Sequence, residues 1–138
     1  LLHGDYLFSN YLVTESGVCV IDFDDCEWGH YAYDVATNVY YYVLGGDPAG
    51  TATRTERAGE LLEQFLRGYR RHQPFGRAEA ELAEELMVQR EIDLLSSIAT
   101  HFDLEALGPW QEAFVETSVP RIMEHRPVVS LAASGRSG

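Results

Sequence analysis

The chain has 138 residues, 46% hydrophobic and 23% charged, with a formal net charge of −12, which fits one globular domain with room for a real core. All ten basic residues are Arg and none is Lys, so the acidic surface disfavours nucleic acid and anionic membranes and suits cationic small molecules. No apolar run approaches the roughly 20 residues of a membrane span, no secretory leader is visible, and Cys19 and Cys26 match no CxxC or zinc spacing; a reduced, cytoplasmic setting is expected.

The first thirteen residues, LLHGDYLFSNYLV, place His3-Gly4-Asp5 and then Asn10 in front of an apolar run. Residues 11–14 (YLVT) and 18–21 (VCVI) are β-rich, and Glu15-Ser16-Gly17 between them reads as a three-residue hairpin turn. That turn pairs Thr14 with Val18 and Leu12 with Val20, and sets Asn10 opposite Asp22. An amide oxygen and a carboxylate leaving one end of a hairpin make a start on a magnesium site, because Mg²⁺ takes hard oxygen ligands and few of them from protein. Asp5, on a loop that Gly4 lets turn sharply, can reach the same pocket. A carboxylate beside rather than on a metal can take the proton of an attacking hydroxyl.

Both strands are apolar on two faces, so the hairpin expects a cover on each side; Cys19 within it reads as a buried thiol. A buried helix is expected from about His30 to Leu44, closed by Gly45-Gly46. A second, from about Thr53 to His72, carries Ala58, Leu61, Leu62, Phe65, Leu66 and Tyr69 on one stripe. A third, over 78–102, is expected to turn Val88, Ile92, Leu95, Ala99 and Phe102 inward and Glu81, Glu84, Glu85 and Glu91 mostly outward. A fourth, from about Trp110 to Glu124, meets an interruption at Pro120. The packed domain is expected to span 1–126 and the remainder, 127–138, to form a disordered tail. Trp28 and Tyr40-Tyr41-Tyr42 read as core. The fold class expected is α+β, mostly helical: one short hairpin in front of about four helices.

The residues His3-Gly4-Asp5 with Asn10, then Ile21-Asp22-Phe23-Asp24-Asp25, then Gly29 and Asp34 in GHYAYDVA, resemble the aminoglycoside phosphotransferase and choline kinase-like group of small-molecule kinases, homoserine kinase-like members included. The resemblance covers residues 1–36 firmly and the helices in outline. It implies the C-terminal lobe of a kinase-like fold, acting with Mg²⁺ and with ATP as phosphoryl donor. Asp5 would then be the catalytic base. Asn10 and Asp22 would be the metal ligands, with Asp24 the candidate for a second metal. His3 and Asp34 would support the catalytic loop. The acceptor would be a small-molecule hydroxyl of amine or amino-alcohol type, with Asp93, Asp103, Glu105 and Glu112 as acids suited to a cation.

The family's N-terminal lobe, with its phosphate-covering loop and strand Lys, has no counterpart in this sequence. The chain alone is therefore expected to be inactive and, with one hairpin face bare, to self-associate. A non-catalytic, pseudokinase-like helical binding module is the alternative; the intact Asp5, Asn10 and Asp22 weigh against it and the missing Lys for it.

Overall fold

A computed structural model describes residues 1–45 and 54–131. A short 3₁₀ turn, Phe8–Asn10, leads into strand β1 (Tyr11–Thr14) and its antiparallel partner β2 (Gly17–Val20). Four helices follow: α1 (Ala32–Leu44), α2 (Arg54–Tyr69), α3 (Arg77–His101) and α4 (Pro109–Met123). The mostly helical architecture with a small β element in front is the one expected, and Gly46 of the expected Gly-Gly stop lies outside the described residues.

The hairpin register differs from expectation by one residue. Tyr11 pairs with Val20, Leu12 with Cys19, Val13 with Val18 and Thr14 with Gly17. The turn is the two residues Glu15-Ser16, because Gly17, at φ 133°, joins the strand in a conformation that a side chain would strain. The Thr14 hydroxyl closes the turn by donating to the Gly17 carbonyl at 2.9 Å. Since directly paired residues share a face, the slip puts Cys19 on the face of Leu12, and Val18 and Val20 on the face of Val13 and Tyr11. It also places Ile21, not Asp22, opposite Asn10: the Ile21 N–H donates to the Asn10 carbonyl at 3.0 Å. The helices cover neither face of the hairpin well. Leu12, Val13 and Val18 are exposed, and so is Cys19, expected buried.

Helix α1 is the centre of the domain. Nine of its thirteen residues are buried, from Ala32 through Val43, the pattern of a helix packed on most of its faces. Against it α2 lays Ala58, Leu62 and Leu66, as the stripe predicts, and α3 lays Ala83 and Met87, with Phe75 closing the α2–α3 corner. Burying each Leu, Met or Phe contributes about 1.5–3 kcal/mol relative to exposure.

Two details of the helical part depart from expectation. On α3, Val88 is buried as expected, but Ile92 and Ala99 face solvent, as does Phe102 just past the helix end, while Glu91 is fully buried. Helix α4 passes through Pro120 without a break, to Met123. Its inner face carries Phe114 and then two polar groups: the Ser118 hydroxyl donates to Glu91 Oε1 at 2.9 Å, and Arg121 Nε donates to the same oxygen at 3.1 Å, with Nη2 bonded there as well. A buried acid turned toward α4 is thus matched by a cation, which explains why the expected apolar face of α3 holds at Val88 and fails beyond it.

The packed chain also runs past residue 126. Val128, Val129 and Leu131 join the main core, and Glu84 on α3 accepts the Ser130 hydroxyl at 2.9 Å and the Leu131 N–H at 2.5 Å. Residues 132–138 of the expected tail lie outside the described residues. Trp28, expected in the core, is 86% exposed, whereas Tyr40 is fully buried.

Candidate functional site

The loop before the hairpin is fixed from three directions. From below, the Asp34 carboxylate in the first turn of α1 accepts the His3 N–H on Oδ2 and the Gly4 N–H on Oδ1, both at 3.0 Å. A carboxylate near a helix N-terminus is favoured by the helix dipole, so Asp34 suits its own helix as well as the loop. From the side, the Leu2 N–H donates to the Glu27 carbonyl at 2.7 Å, and Leu2 and Glu27 form an isolated antiparallel bridge. Gly4 makes the bend: its φ is 81°, and a Cβ there would overlap the Asp25 carbonyl oxygen. Only glycine fits both conditions.

From above, His3 is tied to the second strand's continuation. Its Nε2 lies 2.9 Å from the Ile21 carbonyl. A carbonyl can only accept, so that nitrogen carries the proton. The imidazole packs between the rings of Tyr6 and Phe23, at centroid distances of 5.6 and 4.7 Å. His3 is thus a buried member of the loop, its Nε2 proton committed to the Ile21 carbonyl and its Nδ1 buried without a partner.

Asp5 projects from this scaffold, and two donors hold its carboxylate. Asn10 Nδ2 donates to the Asp5 carbonyl at 2.9 Å and to Oδ2 at 3.1 Å. Arg90 Nη2, from the middle of α3, donates to Oδ1 at 2.8 Å. Each carboxylate oxygen has two lone pairs, so one acceptor position on each remains for a third group. The Asp5 side chain is 25% exposed, which leaves it reachable. The arrangement can accept a proton from a hydroxyl brought against it.

Asn10 is buried, and its amide, with the nitrogen committed to Asp5, turns its oxygen the other way, where Ser9 is a distant 3.5 Å neighbour. Asp22 follows the last rung of the hairpin with φ 65°, a left-handed conformation that costs a non-glycine residue on the order of 1–2 kcal/mol and is best tolerated by Asn and Asp. Its carboxylate is exposed and has no hydrogen-bond partner among the described residues. Asn10 Oδ1 and the Asp22 carboxylate are each hard oxygen donors of the kind Mg²⁺ takes, but with Ile21 in the place opposite Asn10 no hydrogen bond links the two. Among the described residues no group of three or more His, Cys, Asp or Glu could hold a metal by itself. Asp24 is exposed in the turn beyond, outside the network formed by His3, Asp5, Asn10 and Asp34.

A second layer went unpredicted. Asn38 on α1 donates to the Tyr6 carbonyl at 3.1 Å and bonds the Tyr11 hydroxyl. Burial pushes the Tyr11 hydroxyl's pKa well above the ordinary tyrosine value, with the neighbouring Tyr6 adding to it, so it stays a neutral partner there. Arg90 Nη2 also donates to the Tyr41 hydroxyl at 3.0 Å, and its guanidinium lies over the Tyr41 ring at 5.4 Å. Tyr41 was read as core packing; it is half-buried and helps to hold Arg90. Of the acids proposed for a cationic substrate, Asp103 accepts the Glu105 N–H at 3.0 Å in the turn after α3, and Asp93 and Glu112 are exposed.

Comparison with known proteins bears on this arrangement. No curated protein matches the chain. Among solved structures, an amicoumacin kinase in complex with AMP-PNP, Ca²⁺ and Ami superposes with a TM-score of 0.77 at 22% identity, over 92% of this chain and 38% of that one. The chain therefore has the fold of part of that kinase and spans well under half of its length. Residues 1–84, which include the whole loop, hairpin and α1, match the model of the phosphotransferase enzyme family. The chain belongs to that family.

Proposed function

We propose that this chain is the substrate-side lobe of an ATP- and Mg²⁺-dependent kinase that phosphorylates a hydroxyl of a small amine or amino alcohol, aminoglycoside-like compounds included. The observation that carries the reading is the Asp5 carboxylate, oriented by Asn10 and Arg90 on a loop anchored by Asp34. Asp5 accepts the acceptor's hydroxyl proton while the hydroxyl oxygen bonds to the γ-phosphorus of ATP and the bond to the β-phosphate oxygen breaks. Asn10 Oδ1 and the Asp22 carboxylate are the groups that would hold the metal, with Asp24 the candidate for a second one. Bound metal supplies neutralisation of the phosphate charge. His3 and Asp34 act by keeping the loop in shape. The net charge of −12 supports a cationic acceptor.

By itself the lobe holds half of a nucleotide site, and the isolated 138 residues are expected to be inactive. The test is an ADP-release assay on the full-length protein that carries this chain, with Mg·ATP and a panel of aminoglycosides, choline, ethanolamine and homoserine. Acceptor-dependent ADP release is expected with at least one amine-bearing alcohol. ATP binding without acceptor-dependent turnover across that panel and neutral sugars would contradict the reading.

A further inference from the structure

Arg90 stands out as a charged group that the loop motif does not contain. It lies 85 positions from Asp5 in the chain, yet its Nη2 is 2.8 Å from Asp5 Oδ1. The pair is largely shielded, with 17% of the Arg90 side chain and 25% of the Asp5 side chain exposed. The guanidinium is held on its own side by the Tyr41 hydroxyl and ring, and its Nε is buried without a partner. A surface ion pair would be free to exchange with water and would fix nothing. This one has its cation clamped on α3 against α1 before it reaches the loop. The next residue, Glu91, is locked to Ser118 and Arg121 of α4, so the α3 backbone at this point is held between α1 on one side and α4 on the other.

We infer that Arg90 is a positioning residue for the transfer step: it fixes the plane of the Asp5 carboxylate from the Oδ1 side, as Asn10 does from the Oδ2 side, and so sets which lone pair receives the acceptor hydroxyl. Two donors on opposite oxygens restrict rotation about the Cβ–Cγ bond more tightly than either alone. Misplacing a reacting group by about 1 Å can cost on the order of a hundredfold in rate, so the effect belongs in kcat. Arg90 does not contact nucleotide in this role, and the KM for ATP is expected to hold.

The inference rests on Asp5 being the base, and a double-mutant cycle separates the two ideas. The full-length protein is assayed with labelled ATP and the fastest acceptor of the panel, as wild type, Arg90→Gln, Arg90→Lys, Asp5→Asn and the Asp5→Asn/Arg90→Gln double variant, each checked by thermal melting. Arg90→Gln is expected to lower kcat about 10- to 100-fold with the KM for ATP within about twofold. Arg90→Lys, which keeps the charge, should recover part of the loss, and the second substitution should cost less than about twofold in the Asp5→Asn background. An equal loss in both backgrounds, an unchanged kcat in Arg90→Gln, or Arg90→Lys no better than Arg90→Gln would overturn the role of Arg90 and leave the base standing. Asp5→Asn at the wild-type rate would remove the base assignment and the inference with it.

Discussion

Asp34 and Gly4 are 30 positions apart in the chain and one hydrogen bond apart in space: the Gly4 N–H meets Asp34 Oδ1 at 3.0 Å while the neighbouring His3 N–H meets Oδ2. The first turn of the central helix thereby holds the bend from which Asp5 projects. A hydrogen bond to a charged group contributes about 1.5–3 kcal/mol. Asp34→Ala is expected to cost about 3 kcal/mol of stability, and Asp34→Asn, which keeps one acceptor, about half of that. Urea denaturation measures both; a loss below about 1 kcal/mol for Asp34→Ala would show that the loop does not depend on this carboxylate.

Gly4 tolerates no substitution. A side chain there meets both the unfavourable φ of 81° and the Asp25 carbonyl, so Gly4→Ala has to displace either the loop or the 24–27 segment. The expected result is a loss of several kcal/mol, above the roughly 1–2 kcal/mol for an L-residue in the left-handed region alone. A thermal melt of Gly4→Ala within two or three degrees of wild type would contradict this geometry.

The buried pair between Glu91 and Arg121 makes a prediction of opposite signs. Removing one partner strands the other, which typically costs 3–5 kcal/mol, whereas replacing both with apolar groups of similar size is often close to neutral. Glu91→Leu or Arg121→Met alone should therefore destabilise by about 3–5 kcal/mol, and the double variant by much less than the sum. Additive losses in denaturant titration would mean that the two side chains do not stabilise each other.

Acid should loosen the start of α3. The Gly76 N–H, 2.7 Å from Glu79 Oε2, is the main cause holding the Glu79 carboxyl below its ordinary value of 4.5, with the Tyr31 hydroxyl adding to it. A depressed folded-state pKa gives stability that is present above the unfolded value and lost as pH falls through the folded one. Wild type should thus exceed Glu79→Gln in melting temperature near neutral pH, and the gap should close below about pH 4.5. A gap that widens on acidification would reverse the assignment.

How much of this was readable in advance depended on distance along the chain. The four helices were legible because each carries its own apolar pattern over fifteen or so residues, and the loop because its residues stand close together in sequence. The hairpin register was not, since it turns on whether Gly17 belongs to the turn or to the strand, a choice one residue wide that apolar residues on both faces do not settle. The inner face of α3 was misread because its burial changes along the helix: Met87 meets the apolar core, and Glu91 meets Ser118 and Arg121. Arg90 was invisible for a simpler reason. Nothing in a helix marks which of its arginines will face a carboxylate 85 positions away.

The exposed hairpin offers its own check. Leu12, Val13 and Val18 lie on the surface, Val13 at 84% exposure, and such a patch favours association. The isolated chain is expected to sediment as more than a monomer, and Val13→Lys with Val18→Lys to shift it toward monomer. A wild-type chain that stays monomeric at tens of micromolar would count against the patch as a contact surface.

The most direct test of the whole account is the rate of phosphoryl transfer by the full-length protein carrying Asp5→Asn, a substitution that keeps the side chain's shape but removes the proton acceptor and leaves one oxygen to accept from either Arg90 or Asn10. A general base typically contributes 10²–10⁴-fold. The account predicts a kcat at least about a hundredfold below wild type, with nucleotide binding little changed and the protein still folded at the assay temperature. Asp5→Asn turning over at the wild-type rate would contradict it.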